Sequence, residues 1–326
     1  MRLLNRQALT QCLSHLDCVN ALEPAMRAVS AGRTDLPLRQ YLNIPDTGGK
    51  FTLMPGYLDD PRCFGVKIVS KFPREPDSPY GSHVGAVMLF DAEQGIPVAM
   101  LDGSELTAIR TAAASALATR TLARDDSKTL AIIGTGMEAL HHVQAICAVR
   151  SIQSVRIWGR TPVNAQALVA KVQSLCEAQV SPADSVTEAI AGADIICTTT
   201  SAKQPLLFGE QLSDGQHLNL VGAAIKEAAE VDAEVVRRSR FFTDYRPSAL
   251  AQAGELAAAM EQGLSADEAI AGELGEVLAG DVEGRQSPEQ ITTYKSLGVA
   301  AQDLAAATVA LANAESLSVG QIADWN

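Results

Sequence analysis

The sequence predicts an α/β fold in which a doubly wound parallel sheet is joined to an α+β domain. Two observations support this class. After Lys128, short apolar runs alternate with helix-forming stretches, which is typical of a parallel sheet covered by helices on both faces. Before that point, short strand-like runs are separated by turn signals, which is typical of antiparallel strands.

The N-terminal half predicts one helix, several strands and a second helix. Ser14 or Asp17 caps a helix near 17–31. Strand-like runs follow in KFTLMPGYL, CFGVKIVSKF and GAVMLFDAEQGIPVAML, and the last is a hairpin because a turn-forming DAEQG separates two apolar halves. A helix begins at Ser104 and continues through Ala-rich residues to about Leu122.

The second half begins after the polar linker ARDDSK and alternates between strands and helices. The segments KTLAIIG, SVRIWGR, DIICTTT, HLNLVGA and RFFTDYR predict strands, and 137–150, 162–177 and SVTEAIAGA predict helices. After the last strand, TYKSLGVAAQDLAAATVALANAESLS predicts a helix that packs back on the first domain. The predicted domains are therefore 1–120 with 297–326, and 121–296.

Composition excludes several classes of partner. The 326 residues carry a net charge of -12 and no basic cluster, so we expect no nucleic-acid partner, although a small anionic substrate needs only a few local cations. No run of eighteen apolar residues exists, and the N-terminus lacks a signal-peptide core, so we expect no membrane partner. The six cysteines lack metal-site spacing and predict free thiols, no bound metal and a cytoplasmic protein.

A glycine-rich loop follows the first strand of the second half. It reads Gly134-Thr135-Gly136-Met137-Glu138-Ala139, a GxGxxA pattern between a strand and a helix. Gly134 permits the tight turn, Gly136 lets the backbone approach a pyrophosphate, and the helix N-terminus offers N–H donors. The loop therefore predicts a Rossmann-type, dinucleotide-binding domain, and a purely structural turn is the alternative.

The next strand ends in RIWGRT, which bears on the choice of cofactor. Gly159 occupies the place where an NAD-binding protein carries the acid that binds the ribose 2′-hydroxyl, and Arg160 and Thr161 follow it. Without the carboxylate, Arg160 can bind a 2′-phosphate. The prediction is NADPH, with NADH also usable; the alternative for Arg160 is a solvated strand end.

Three segments resemble the ornithine cyclodeaminase/mu-crystallin family. They are GAVMLFDAEQGIPVAMLDGSELTAIRTAAASALATRTLA, IIGTGMEA and TTYKSLGVAAQDLAAA. That family also contains alanine dehydrogenases and reductases of cyclic imino acids, the ketimine reductases. The resemblance implies a two-domain homodimer whose N-terminal half and C-terminal helix form the domain for substrate binding and dimerisation.

The resemblance also implies the site residues. Arg39, Lys67 and Arg110 match the cations that surround the substrate carboxylate, and Gly298 lies near the substrate. The residues implied to line the cofactor are Ser82, Met137, Glu138, Thr199, Val221, Gly222, Ala223 and Leu297. Arg forks and Lys ammonium groups suit a carboxylate independently of the resemblance. A solvated helix face is the alternative for Arg110; otherwise the substrate is its simplest charge partner, since no acid lies at i±3 or i±4.

One departure from the family pattern narrows the activity. Cyclodeaminases carry an acidic proton donor where this sequence has Ala224 in NLVGAAIKE, and a methyl group transfers no proton. We therefore expect an NAD(P)H-dependent ketimine reductase that converts Δ1-pyrroline-2-carboxylate to L-proline and Δ1-piperideine-2-carboxylate to L-pipecolate. Lys67, or a water it orients, would supply the proton. Alanine dehydrogenase, a cyclodeaminase with a replacement acid, and a crystallin-like NADPH-binding protein without turnover remain alternatives. Asp303 is interpreted as a structural hydrogen-bonding partner.

Overall fold

A computed structural model describes residues 1–73, 78, 80–81 and 83–324, without the side chain of His83. The chain divides into two compact units, Met1–Arg110 with Val299–Asn326 (unit 1) and Thr111–Gly298 (unit 2). The first boundary predicted from the sequence, after residue 120, and the boundary of unit 1 fall in the same helix. The second predicted boundary, after residue 296, and the second observed boundary, after Gly298, both fall in the loop before the last helix.

The described residues of the first part of the chain form three helices and seven strands. Its elements in order are β1 (Arg2–Leu4), α1 (Arg6–Cys12), α2 (His15–Ser30), β2 (Thr34–Asp35), β3 (Gln40–Ile44), β4 (Gly49–Asp59), β5 (Arg62–Lys71), β6 (His83–Asp91), β7 (Pro97–Asp102) and α3 (Gly103–Leu122). Helix α2 begins as predicted, because the Ser14 hydroxyl accepts a hydrogen bond of 3.0 Å from the Asp17 amide.

The rest of the chain alternates between strands and helices. Its elements in order are β8 (Thr129–Ile133), α4 (Met137–Val149), β9 (Ser154–Trp158), α5 (Pro162–Gln173), β10 (Gln179–Pro182), α6 (Val186–Ile190), β11 (Ile195–Thr198), β12 (His217–Leu220), α7 (Ala233–Arg238), β13 (Ser239–Thr243), α8 (Arg246–Gln252), α9 (Gly254–Glu261), α10 (Ala266–Ala269), β14 (Gly272–Glu273), α11 (Leu274–Ala279), β15 (Ile291–Lys295), α12 (Ala300–Ser316) and β16 (Gln321–Ile322).

Unit 1 is built on a mostly antiparallel sheet. Within the described residues its strand order is β16-β1-β7-β6-β5-β4-β2, with β3 also paired to β4 and only the β1–β7 pair parallel. The predicted hairpin is the β6–β7 pair. Helix α12 lies close against β4 and β5, since a Cβ at Gly56 would come 2.7 Å from the Ala300 Cβ and one at Gly65 2.8 Å from the Leu304 Cδ2. This close packing brings the first turns of α12 next to the inner side of β5.

Unit 2 is built on a fully parallel sheet, which confirms the predicted doubly wound class. The strand order across the described residues is β10-β9-β8-β11-β12-β15-β13-β14, and every neighbouring pair is parallel. Strand order reverses between β8 and β11, so the crevice beyond the carboxyl ends of these strands is where such a sheet binds its ligand. Strands β8, β11 and β12 are buried on both faces, as helix coverage on both sides requires.

The predicted start of the last helix was wrong. The segment Ile291–Lys295 is strand β15, which lies between β12 and β13, and α12 begins only at Ala300. The β-branched and aromatic ITTYK run fits a fully buried strand, and Gly298, with φ of 79°, separates it from the helix. Short β10 and α1 were also not predicted, because neither is long enough to show a clear period.

Candidate functional site

The glycine loop of unit 2 has the geometry that a pyrophosphate requires. Gly134 has φ of 130°, and a Cβ there would lie 2.6 Å from the Thr199 Oγ1, so only glycine fits. A Cβ at Gly136 would meet nothing within 4 Å. Gly136 is also the N-cap of α4 and provides no side-chain cap, and Met137 and Glu138 are the first two residues of this helix, so a ligand can approach the helix N-terminus closely at Gly136. These residues fit a dinucleotide.

The end of β9 shows why glycine stands in place of an acid. Gly159 is buried, and a Cβ there would overlap the side chain of Thr135 in the glycine loop. A larger side chain at this position would therefore require the side chain of Thr135 to move, which favours glycine over an acid. The next residue, Arg160, is exposed, and Thr161 is the exposed N-cap of α5. A cation thus replaces the usual anion at the carboxyl end of this strand.

The carboxyl ends of β11 and β12 bring together the other predicted cofactor residues. The Thr199 amide donates to the Ile133 carbonyl (2.8 Å) and the Val221 amide to the Thr198 carbonyl (3.0 Å). A Cβ at Gly222 would overlap the Thr200 carbonyl, so the two loops approach each other as closely as backbones can. Ala223 is buried, whereas Ala224, at the place of the cyclodeaminase acid, is partly buried against the core of unit 2.

Leu297 and Gly298 follow β15 and are held by a carboxylate that sequence analysis missed. The buried Asp244, directly after β13, accepts hydrogen bonds from the Leu297 amide (2.8 Å) and the Gly298 amide (2.6 Å) through its Oδ2. The available signal was an acidic residue just after two consecutive phenylalanines of a predicted strand, since buried carboxylates are rare without such donors.

In unit 1, a buried cluster joins three charged residues from three elements. Lys67 lies on β5, Arg110 on α3 and Asp303 on α12, and their side chains are at most 6% exposed. The Lys67 Nζ lies 3.0 Å from Oδ1 and 2.9 Å from Oδ2 of Asp303, and the Arg110 Nε donates to Oδ1 (2.9 Å). The Arg110 Nη1 donates to the Gln302 Oε1 at 3.0 Å. We call Lys67, Arg110 and Asp303 the charged triad.

The expectation that the substrate is the simplest charge partner of Arg110 was wrong, because the protein itself supplies one. Asp303 supplies that partner from a helix 193 residues further along the chain, which the search at i±3 and i±4 could not reach. The interpretation of Asp303 as a hydrogen-bonding residue is confirmed, although it binds two cations from other elements. The triad still holds two cations and one anion, and the Arg110 Nη2 has no hydrogen-bond partner among the described residues. One positive charge is therefore available for a bound carboxylate.

Burial and neighbouring charges shift the pKa values of two triad members. Burial, together with the charges of Arg110 and Arg39, lowers the pKa of Lys67 from 10.5 to about 8, and Asp303 offsets part of this effect. Burial alone raises the pKa of the Asp303 carboxyl, but the charges of Arg110 and Lys67 and their hydrogen bonds outweigh it, so this pKa lies below its ordinary value. Lys67 can therefore gain and lose a proton near neutral pH.

Arg39 completes the set of predicted cations in unit 1. It immediately precedes β3, is half-buried, and lies near enough to lower the pKa of Lys67. The structure thus brings Arg39, Lys67 and Arg110 together, although they are far apart in sequence. Ser82 lies outside the described residues. A separate cavity of about 610 Å³ in unit 1 is lined by residues that include Leu3, Gln11 and Met100, and the described members of the predicted site are not among its lining residues.

Two further groups have structural roles. His142 is buried on α4, where its Nε2 lies 2.9 Å from the Ser115 Oγ and its Nδ1 lies 2.7 Å from the Glu138 carbonyl, which agrees with its interpretation as a packing residue. All six cysteines are free, as predicted. Across the described part of the chain, the helices are too short or too polar to span a bilayer.

Comparisons with known proteins agree with this geometry. A family model described as the ornithine cyclodeaminase/mu-crystallin family matches residues 2–318. A Delta(1)-pyrroline-2-carboxylate reductase of Bacillus cereus is 35% identical over 91% of this chain and 91% of its own. Ketimine reductase mu-crystallin of Mus musculus is 35% identical over 90% of this chain and 92% of its own.

A solved structure extends the likeness to three dimensions. The Delta(1)-pyrroline-2-carboxylate reductase of Thermococcus litoralis, solved in complex with NADH and L-proline, superposes with a TM-score of 0.94 at 32% identity. The match covers 99% of this chain and 100% of that chain. The likeness therefore includes both units and the whole set of elements that carry the candidate site.

Proposed function

Because the chain belongs to the ornithine cyclodeaminase/mu-crystallin family, we propose that it reduces the C=N bond of a small cyclic imino acid. It is an oxidoreductase that acts on CH–NH bonds with a nicotinamide cofactor, as its named relatives are. The first proposed substrate is Δ1-pyrroline-2-carboxylate, which gives L-proline. The second is the six-membered Δ1-piperideine-2-carboxylate, which gives L-pipecolate. The five-membered ring comes first because two of the relatives above are reductases of that compound.

The observation that carries this proposal is the charged triad. A small imino acid offers one carboxylate, and the triad offers one uncompensated positive charge in a buried setting, where ion pairing is strong. Arg110 binds the carboxylate through the N–H donors of its Nη2, and Arg39 adds a second cation from the loop before β3. Asp303 holds Arg110 and Lys67 in place, so that little side-chain freedom is lost when the substrate binds.

Lys67 is the proposed proton donor. When bound, the reduced nicotinamide supplies a hydride to C2 of the imine, and the ring nitrogen then needs one proton. The Lys67 ammonium, with a pKa of about 8, gives up that proton directly or through a water, and Asp303 stays ionised throughout. After product release, Lys67 takes a proton back from solvent. Each turnover consumes one hydride and one proton and forms one C–H and one N–H bond.

The residues that follow β12 disfavour cyclodeamination. Ala224 has no proton to transfer, and it packs against the core of unit 2. The nearest buried carboxylate on this segment, Glu230, is already the acceptor of hydrogen bonds from Thr198, Thr200, Gly222 and Ala223, and it does not replace the missing acid. Reduction of a preformed imine needs no such group beyond Lys67.

NADPH is the proposed preferred cofactor, with NADH as a usable second one. The support is local: Gly159 leaves no carboxylate to repel a 2′-phosphate, and Arg160 is exposed beside it. We further propose that the protein acts as a cytoplasmic homodimer. Six free cysteines suit a reducing compartment, and Tyr41 and Leu42 on β3 are 49% and 60% exposed, which suits a surface covered by a second copy.

Oxidation of NADPH and NADH, followed by absorbance, tests the proposal. The two cyclic imino acids should support turnover, whereas pyruvate with ammonia should not. L-Ornithine with NAD⁺ should release no ammonia. Turnover with pyruvate and ammonia alone would identify an alanine dehydrogenase, and ammonia release from ornithine would identify a cyclodeaminase. Tight NADPH binding with no turnover of any substrate would leave the binding-protein alternative.

A further inference from the structure

Glu230 is a fully buried carboxylate that serves two neighbouring strand ends of unit 2. Its Oε1 accepts hydrogen bonds from the Thr200 amide (2.7 Å) and the Thr200 hydroxyl (2.8 Å). Its Oε2 accepts from the Thr198 hydroxyl (2.8 Å), the Gly222 amide (2.6 Å) and the Ala223 amide (3.4 Å). Such a number of donors stabilises a buried carboxylate that would otherwise be very costly.

One of these two strand ends, that of β12, is also held from its other side. Ala223 donates its amide to Glu230 and accepts a hydrogen bond of 2.6 Å from the buried Lys295 ammonium through its carbonyl. Lys295 pairs with the buried Glu255 at 3.1 Å, and the Glu255 Oε1 accepts a hydrogen bond from the Glu230 amide (3.2 Å). Glu230, Ala223, Lys295 and Glu255 thus close a ring of polar contacts around the end of β12.

The position of this ring in the sheet indicates which part of a dinucleotide it serves. Strands β8, β9 and β10 form one half of the sheet and carry the glycine loop and the Gly159–Arg160 end. A dinucleotide lies across the point where strand order reverses, with its two nucleotides on the two halves. The adenosine half therefore belongs to β8–β10, and the nicotinamide half belongs to the ends of β11 and β12, where Glu230 binds.

We propose that Glu230 is a positioning residue for the nicotinamide half of the cofactor. Its hydrogen bonds fix the wall formed by 199–200 and 221–223, and among the described residues none of its donors lies in the glycine loop. This inference rests on the proposed use of a nicotinamide cofactor. Gly222 fits the same picture, because a Cβ there would overlap both the Thr200 carbonyl and the Glu230 carboxylate.

The substitution Glu230→Gln separates this role from a general role in folding. A Gln side chain keeps the size but has one acceptor oxygen, and its amide group would face N–H and O–H donors, so part of the wall loses its partner. Asp232→Asn is the matched control. Asp232 lies two residues away and caps α7 by accepting from the Val235 amide (3.3 Å) and the Gly209 amide (2.8 Å), and Asn can accept in the same way.

The readout is calorimetric binding of two ligands that differ only in the nicotinamide. The first ligand is NADH or NADPH, whichever the wild type binds more tightly. The second is the matching fragment without nicotinamide, ADP-ribose for NADH or 2′-phospho-ADP-ribose for NADPH. Glu230→Gln should weaken binding of the whole cofactor by about ten-fold or more and change binding of the nicotinamide-free fragment by less than about two-fold. Asp232→Asn should change neither.

Parallel weakening of both ligands, or no weakening of either, would overturn the assignment. If Glu230→Gln does not fold, Thr198→Val removes one hydroxyl donor and keeps the shape of a buried strand residue, and it should give a smaller effect with the same selectivity. A wild-type protein that binds neither NADH nor NADPH would refute the proposed function and, with it, this role. If the wild type binds the cofactor but Glu230→Gln does not weaken its binding selectively, only the role of Glu230 is refuted.

Discussion

The Lys67–Asp303 contact allows a quantitative prediction of how kcat/KM depends on pH. In the direction of imine reduction Lys67 must be protonated, so kcat/KM should fall as the pH rises through about 8 in the wild type. The substitution Asp303→Asn removes a charge and a hydrogen bond that both raise the pKa of Lys67, while burial and Arg110 continue to lower it. The pKa of Lys67 should therefore fall further.

The size of the expected pKa shift follows from the effect that a neighbouring opposite charge usually has on a pKa. An opposite charge in direct contact shifts a pKa by about one to three units, and each unit changes the protonated fraction about ten-fold above the pKa. The ratio of kcat/KM for Asp303→Asn to that of the wild type should thus fall about ten-fold or more between about pH 6 and pH 9. Losing one partner of this buried cluster should also lower the free energy of unfolding by about 3–5 kcal/mol.

The assay is kcat/KM for the imino acid over this pH range, with circular dichroism to verify folding at each pH. Ionisation of the substrate nitrogen is common to both proteins, so it cancels in the ratio. Asp59→Asn is the control, because Asp59 is a 45% exposed carboxylate on β4 that pairs with Arg33 at 3.6 Å. An unchanged alkaline limb in Asp303→Asn, or an equal shift in Asp59→Asn, would refute Lys67 as the proton donor.

Three other predictions address the cation cluster, the cofactor and assembly. Arg110→Met should lower kcat/KM for the imino acid about 100-fold, or about 2.7 kcal/mol, and should move the alkaline limb above about 8, opposite to Asp303→Asn, because Lys67 loses a neighbouring cation. Its binding of NADPH, measured by fluorescence, should hardly change; a few-fold effect on kcat/KM would make Arg110 structural. Arg160→Ala should raise KM for NADPH about ten-fold more than KM for NADH, and equal effects on the two would contradict a 2′-phosphate contact. Light scattering should give a mass about twice the 34.3 kDa of the chain, whereas an active monomer at low concentration would contradict the dimer.

Sequence alone determined the features that depend on short-range pattern. The strand–loop–helix unit around Gly134 and Gly136, the β6–β7 hairpin and the cap at Ser14 could all be predicted, because their residue requirements lie within a few positions of one another. The same holds for the parallel class of the unit 2 sheet, because short apolar runs alternate with helix-forming stretches in the second half of the sequence. The resemblance to a family with known cations supplied Lys67 and Arg110 as candidates.

Only the tertiary structure decided how the buried charges are matched. Asp303 reaches Arg110 and Lys67 from 193 and 236 residues away, and no local spacing encodes such a pairing. The same reason hid Glu230 and Asp244, whose donors come from loops that meet only when the strands align. Strand β15 was assigned to a helix because a buried strand shows no alternation. Charge and hydrogen-bond satisfaction inside a core is a property of the folded packing, so it becomes visible only there.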